Sequence, residues 1–375
     1  MGIMINILFI IDCIWSANGG TEGQLLMLMD GLDKSRYAVN LLCLRDSDWL
    51  RENRENLPVG VLGVHNFLSP GMLMKLAAFR RYCRKNKIDI VQIYFQDSYI
   101  FGAIAARLSG VKKVFVCRRN LGPGFWGDKK NLAIFRALKR FVTKFLANSR
   151  ATRESIIKYE RIKPAKIGVI YNGLDSRRFD FSDGVARSHT RGDLGLDYSN
   201  ILVGMVSHLR EGKNFELFLD AAFRLRERFP HLRYLILGEG PYRPAIENYI
   251  RKLGLDNIVR LKGAVEDVAP YLAAMDIACL TSDGESFSNA IIEYMAAGLP
   301  VVATAVGGNI EALDNLGFLF PPGNLEALVE SLTNLVEDEE LRQKTGLRSK
   351  KAVVERYGVA RMVAEYEGVY EEVMR

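Results

Sequence analysis

Apolar residues along the chain gather in short runs at 5–11, 39–44, 90–94, 114–117 and 145–148, each bounded by polar or glycine residues, with helix-like segments between them. A strand covered on both faces is apolar throughout, so short solid runs alternating with amphipathic segments predict parallel strands joined by crossover helices. The pattern restarts at 201–206, 234–237, 259–261, 277–280 and 301–304, which predicts a second sheet of the same kind. Between the two series, 172–200 is rich in Arg, Asp, Ser and Gly and holds no apolar period, so a domain boundary is expected near Asn172 and Gly173. The expected organisation is a domain over 1–172, a second over 173–361, and a final amphipathic helix over 362–375 with apolar residues at 362, 363, 366, 369, 370 and 373. Open parallel sheets bind ligands beyond the carboxyl ends of their strands, so the site is expected in a cleft between the domains.

Composition narrows the class. With 375 residues, 49% hydrophobic and 25% charged, the chain is neither disordered nor fibrous and can bury about two cores without disulfides or metal. Cysteines 13, 43, 83, 117 and 279 form no Cys-x-x-Cys pair, which gives neither a disulfide framework nor a zinc site and suits a reducing cytoplasm. No basic residue precedes the first apolar run and Asp12 follows it, so it reads as a strand and not as a signal peptide. No stretch reaches the roughly 18 apolar residues of a membrane span.

The net charge of +7 hides an asymmetry. Residues 1–180 carry 30 Lys and Arg against 15 Asp and Glu, whereas 181–375 carry 21 against 29. The first half is therefore expected to meet something anionic. Segment 129–150 has seven Lys or Arg, among them Lys129, Lys130, Lys139 and Lys144, and no acid; 72–87 has six and no acid. The stripe Ile134, Leu138, Phe141, Val142 and Phe145 is expected to cover the sheet, leaving the cations either merely solvated or able to attract an anionic membrane surface. No nucleic-acid partner is expected.

The richest chemistry lies in Asp283-Gly284-Glu285-Ser286-Phe287-Ser288-Asn289-Ala290-Ile291-Ile292-Glu293, whose grammar is strand, loop, helix. A helix beginning near Ser288 offers unpaired amides to an anion or hydroxyl, with Ser286 and Phe287 just before it. Glu285 in the loop and Glu293 on the helix can face one ligand, and two carboxylates accept hydrogen bonds from the vicinal hydroxyls of a sugar or ribose. Their plainer reading is as a helix-start charge and a helix-surface charge. In Ser207-His208-Leu209-Arg210-Glu211-Gly212-Lys213-Asn214, two cations within four residues at a strand-to-helix turn can hold a diphosphate and stabilise it as it leaves, although the plainer reading of Lys213 is an ordinary solvated lysine. Gly19-Gly20-Thr21-Glu22 follows the first strand, and Arg118-Arg119 ends the fourth apolar run, where the pair either meets an anion or is merely solvated. Asp46-Ser47-Asp48 lies in a polar turn with no metal role expected, and no cluster with ligand spacing calls for a metal.

The segment from Glu285 to Glu293 resembles the Glu-x7-Glu signature of family 4 glycosyltransferases, retaining enzymes of the GT-B fold. The likeness continues through Thr304-Ala305-Val306-Gly307-Gly308-Asn309-Ile310-Glu311. Gly19-Gly20, Val169-Ile170-Tyr171-Asn172-Gly173-Leu174-Asp175, Leu237-Gly238-Glu239-Gly240-Pro241 and Asn148-Ser149 agree in order and spacing, so it covers nearly the whole chain. It implies an α/β GT-B architecture, with two Rossmann-like domains facing across a cleft and the last helix returning to the first. It further implies Glu285 on donor-sugar hydroxyls, Glu293 on the nucleotide ribose, Lys213 on the diphosphate, Gly20 near the donor phosphates, and Gly238 in the turn behind the donor. Glu22, Arg118 and Arg119 fall on the acceptor side. Two departures stand out. Where the family often has Arg this chain has His208, leaving His208 or Arg210 to accompany Lys213. Many members carry a histidine after the fourth strand, where this chain has Arg118 and Arg119. The implied activity is retaining transfer of a hexose from a UDP or GDP donor, without cofactor or metal. The implied acceptor is a lipid-linked glycan of surface polysaccharide or glycolipid assembly, at the inner face of the membrane. Alternatives are a nucleotide-sugar epimerase or hydrolase of the same fold, a non-catalytic sugar-binding protein, and a dinucleotide-dependent oxidoreductase. Against the last, no Gly-x-Gly-x-x-Gly follows the first strand.

Overall fold

The computed structural model describes residues 4–17, 19–67, 69–122, 131–181 and 184–375, which form two units: Met1–Gly173 together with Val359–Arg375, and Leu174–Gly358. The first unit is built on strands β1 (Ile5–Ile11), β2 (Tyr37–Cys43), β3 (Val59–Val61), β4 (Ile90–Tyr94), β5 (Lys113–Arg118), β6 (Lys144–Ala147) and β7 (Ile167–Val169). They pair in parallel in the order β3-β2-β1-β4-β5-β6-β7. Side chains of β1 alternate between two cores. Leu8 and Ile10 pack with helices Met72–Lys85, Gln96–Ser109 and Leu132–Leu138, while Ile7, Phe9 and Ile11 pack with Gly20–Gly31 and the terminal helix Val359–Met374. Such double coverage requires the solid apolar runs seen in the sequence.

The terminal helix is seated by a polar contact inside the second of these cores. Gln92 is fully buried in the middle of β4, where an unpaired amide would be costly. Tyr370 Oη donates to Gln92 Oε1 at 2.7 Å, and Gln92 Nε2 donates to Tyr94 Oη at 2.7 Å. The Tyr370 ring stacks on Phe115 with centroids 5.9 Å apart, and Met362, Val363 and Tyr366 fill the same core. The helix thus belongs to the first unit, and it begins at Val359, three residues earlier than its apolar pattern indicates.

The second unit contains β8 (Ile201–Val206), β9 (Leu232–Leu237), β10 (Val259–Gly263), β11 (Ile277–Leu280), β12 (Val301–Thr304) and β13 (Phe318–Phe320), parallel in the order β10-β9-β8-β11-β12-β13. Strands β3, β7 and β13, which the apolar pattern does not signal, are three residues long and stand at sheet edges. Their sequences, Val59-Gly60-Val61, Ile167-Gly168-Val169 and Phe318-Leu319-Phe320, are apolar or glycine but too brief to stand out as runs.

Tyr370→Phe should leave the Gln92 carbonyl unpaired in a dry core and cost about 1–3 kcal/mol. Urea unfolding checks this; a loss well below that range would mean that another group satisfies Gln92.

Candidate functional site

In both sheets the strand order reverses at one point, between β1 and β4 in the first unit and between β8 and β11 in the second. Loops leaving such a pair of strands diverge and open a crevice at their carboxyl ends. In the second unit these loops are 207–214, after β8, and 281–288, after β11. The first runs into helix Phe215–Leu225 through Asn214, which adopts φ +52° and whose side chain accepts from Leu217 N at 3.3 Å. The second runs into helix Asn289–Ala296 through Ser288, whose side chain accepts from Ile291 N at 3.4 Å.

The two loops are laced together. Thr281 Oγ1 lies 3.0 Å from the Lys213 carbonyl and 2.8 Å from that of Asn214, Asp283 N donates to Gly212 O at 2.9 Å, and Asn214 Nδ2 donates to Asp283 Oδ1 at 3.0 Å. At their centre Lys213 Nζ is paired with Glu285 Oε1, which also accepts from Ser282 Oγ at 2.8 Å. The two charged side chains are only 12% and 10% exposed. A third segment backs the loop. Gly308 N donates to Glu285 O at 2.9 Å, and Thr304 Oγ1 donates to Ser282 O at 2.6 Å. A Cβ at Gly307 or Gly308 would lie 2.0 Å from the carbonyl of Glu285 or Ser286 respectively, so only glycine lets the 285–286 backbone lie this close. Gly238 does the same behind the β8 loop, where a Cβ would sit 1.9 Å from Ser207 O.

The other expected donor residues fall around this centre in different ways. His208 and Arg210 are exposed on the β8 loop. Phe287 is buried with its ring against Tyr357, centroids 5.3 Å apart, and Ser288 caps its helix, so both side chains are engaged within the protein. Glu293 stands in a separate electrostatic group with the Arg178–Asp267 ion pair, whose charged atoms are 2.9 Å apart. Burial pushes the Glu293 carboxyl up to about 7; Arg178 pulls it down and Asp267 adds to the rise.

In the first unit, Gly20 opens helix Gly20–Gly31 after β1, with Glu22 half-buried in the first turn. Burial raises the Glu22 carboxyl above its ordinary value, opposed by its own amide, the Thr21 amide and the charge of Arg119. Arg119, half-buried after β5, donates to Asn172 Oδ1. Arg118 corrects the sequence reading. It is 4% exposed, its guanidinium is 2.7 Å from the Glu160 carboxylate, and it lies over the rings of Tyr99 and Phe135 at 5.0 and 4.8 Å. Consecutive strand residues point to opposite faces, so Arg118 turns into the core beneath the helices while Arg119 does not. Glu160 is brought to it by a π-helical turn, Ile156–Glu160.

Asp46-Ser47-Asp48 is a capping turn. Ser47 accepts from Leu50 N at 3.1 Å, and Asp46 and Asp48 pair with Arg54 and Arg51. Of the basic segment, Lys129 and Lys130 lie outside the described residues, while Leu138, Val142 and Phe145 are buried and Ile134 is exposed. Sequence reasoning missed Ser282, Thr304 and the Arg178–Asp267 pair. The available signal was polar residues directly at the ends of β11 and β12.

Arg118→Met should cost about 3–5 kcal/mol, because it leaves Glu160 buried without its counter-charge. Chemical denaturation measures this; a loss below about 1 kcal/mol would return Arg118 to the list of ligand-facing residues.

A family model described as Glycosyltransferase Family 4 matches residues 18–178, and one described as Glycosyl transferases group 1 matches 200–338. The UDP-Gal:alpha-D-GlcNAc-diphosphoundecaprenol alpha-1,3-galactosyltransferase of Escherichia coli is 26% identical over 369 residues, 94% of this chain and 93% of that enzyme. The N-acetyl-alpha-D-glucosaminyl L-malate synthase of Bacillus anthracis is 28% identical over 220 residues, 58% of this chain and 57% of that enzyme. The crystal structure of HepE from Anabaena in complex with UDP and glucose superposes with a TM-score of 0.84 and 25% identity, covering 98% of this chain and 99% of that one. With one family match on each unit and this fold beneath both, the chain belongs to family 4 of the glycosyltransferases, enzymes of the GT-B fold.

Proposed function

We propose that the chain transfers a hexose, with retention of configuration, from a UDP-linked donor to a lipid-linked glycan at an anionic membrane surface. The observation that carries this reading is the Lys213–Glu285 pair held between the two loops at the switch point of the second unit. A cation this little exposed needs a partner, and a donor diphosphate supplies a stronger one than a single carboxylate. On binding, the diphosphate takes Lys213, and Glu285, steadied by Ser282, turns to the sugar hydroxyls. Exposed Arg210 or His208 supplies the second donor to the phosphates, with the main chain of Ser286, Phe287 and Ser288 alongside. Glu293 accepts from the ribose hydroxyls.

No enzymic nucleophile is required. The acceptor hydroxyl attacks the anomeric carbon from the face the diphosphate leaves, the new C–O bond forms as the old one breaks, and a phosphate oxygen takes the proton. The protein's contribution is placement and stabilisation of the charge on the leaving diphosphate. Lys213, its neighbouring cation and helix amides meet that charge, so neither metal nor cofactor has a role here.

The choice of UDP and of a lipid-linked acceptor is supported by the bound UDP of the Anabaena structure and by the name of the E. coli relative. The surface of the first unit favours the same acceptor. Leu73 and Met74 are 76% and 73% exposed on helix Met72–Lys85, and Ile104, Leu108 and Ile134 are exposed on the helices beside it. Around them stand the exposed cations Arg80, Arg81, Arg84, Lys85 and Arg140. Apolar residues set among cations suit an anionic lipid surface. Among the described residues no helix is long and apolar enough to cross a membrane. The attachment we propose is peripheral, at the inner face.

The function is tested by transfer from UDP-hexoses in excess chelator. Turnover should persist, and Lys213→Gln should weaken donor affinity tenfold or more, the loss of a charge-assisted contact worth about 1.5–3 kcal/mol. Activity lost to chelator and restored by a divalent cation would contradict the cation-only account.

Glu293 makes binding pH-dependent. Between the ordinary carboxyl range and about 7 the folded protein keeps this proton while the unfolded chain gives it up, so burial of Glu293 costs stability as pH rises through that window. Hydroxyl donors favour the carboxylate, so a nucleotide sugar should bind more tightly as pH rises through about 7 and should release a proton when bound below it. Calorimetry in buffers of different ionisation enthalpy reads this release. Its persistence in Glu293→Gln would assign it to another group.

The paired substitution Leu73→Ser and Met74→Ser should reduce cosedimentation with anionic vesicles several-fold, and wild-type binding should fall as salt rises. Equal binding to neutral and anionic vesicles would favour a soluble acceptor.

A further inference from the structure

The loop leaving β1 borders the switch point of the first unit, and its first residues, 12–14, are pinned. Asp12 accepts from Ser98 N at 2.6 Å, tying the end of β1 to the helix after β4. Cys13 and Ile14 are buried, Cys13 Sγ donates to Asp46 O at 3.6 Å, and Ser47 Oγ donates to the Ile14 carbonyl. Gly19 N turns back to Ser16 O at 3.3 Å. Within this fixed frame Trp15 is 67% exposed.

An indole is the largest apolar side chain a fold can bury, and leaving most of it in water forgoes that stabilisation. The flanking anchors give it little freedom to fold back. Phe95, which follows β4 on the other side of the switch point, has φ +64° and ψ 174°, a region nearly reserved for glycine. Strain of this kind is concentrated where a backbone is held for a ligand. The same sheet end carries Glu22 in the first turn after the Trp15 loop, and Arg119, which lies within electrostatic reach of Glu22.

We infer that Trp15 is the platform on which a pyranose ring of the acceptor stacks at the switch point of the first unit. The C–H face of a pyranose is apolar and matches an indole face in size, while its hydroxyls project at the rim, where water can meet them. Position separates this role from membrane insertion. Trp15 is at the carboxyl ends of the strands, whereas the exposed apolar residues among the cations are on the helices that cover one face of the sheet. The inference rests on the glycosyltransferase reading for the identity of its ligand as an acceptor.

The test uses the full chain saturated with UDP and titrated with methyl α-glycosides of glucose, galactose and N-acetylglucosamine, with indole fluorescence as the signal. At least one glycoside should give a saturable change in the wild type. Trp15→Ala should abolish the change or weaken the affinity at least tenfold, Trp15→Phe should restore most of the affinity when the same glycoside is followed by calorimetry, and UDP affinity should be equal in all three. In transfer assays with that glycoside, Trp15→Ala should raise the acceptor KM without changing donor affinity. No saturable change with any of the three glycosides, or equal glycoside affinity in Trp15→Ala, overturns the platform. Loss of vesicle binding in Trp15→Ala with glycoside affinity intact overturns it in favour of a membrane contact. Failure of the transferase reading is separate: it appears as saturable glycoside binding at Trp15 with no transfer from any UDP-hexose.

Discussion

A lysine and a glutamate set almost out of water, each the other's partner, constrain the whole of the second unit. Desolvating two such charges is expensive unless each is matched and hydrogen-bonded, so the surrounding backbone must hold Lys213 and Glu285 in register. That demand accounts for the density of contacts between the loops after β8 and β11: the Thr281 hydroxyl beside the two carbonyls at 213 and 214, Ser282 on Glu285, and Thr304 on the carbonyl of Ser282. It also accounts for Gly307 and Gly308, whose missing side chains let the Glu285 loop lie against the segment after β12. Loop backbones fixed this firmly need little reorganisation when charge develops on a leaving group, and only the Lys213 and Glu285 side chains exchange partners when the donor binds.

A different constraint governs the first unit. A buried amide on the central strand, Gln92, is satisfied by tyrosines from β4 and from the end of the chain, so the last helix is part of the core. The carboxyl ends of the strands are thereby left to the loops, and those loops carry the polar and aromatic groups of this unit: Trp15, Glu22, Phe95 and Arg119.

Much of this was legible in the sequence, for identifiable reasons. Strands buried on both faces are written as solid apolar runs, so the longer strands could be read directly, whereas β3, β7 and β13 are apolar or glycine over only three residues each, too few to stand out. Lys213 and Glu285 each sit in a polar turn after a strand, where a solvated charge is the plainer reading, and it is the likeness to the Glu-x7-Glu family that singles them out. Their pairing across seventy-two positions could not be read, and neither could the support from Ser282 and Gly308, because proximity across loops has no signature in residue order. Arg118 and Arg119 look alike in sequence but point to opposite sides of β5, and only the counter-charge at Glu160, presented by a π-helical turn, shows which of them is structural.

The central claim is that the charge on Lys213 is held ready for a diphosphate, with Glu285 as its partner in the ligand-free state. A crystal structure of the protein soaked with a UDP-hexose tests this most directly. The account predicts that Lys213 Nζ lies on a diphosphate oxygen, that the Lys213–Glu285 pair is opened, and that Glu285 accepts from a sugar hydroxyl. A nucleotide seated elsewhere, with Lys213 and Glu285 still paired as they are here, would contradict it.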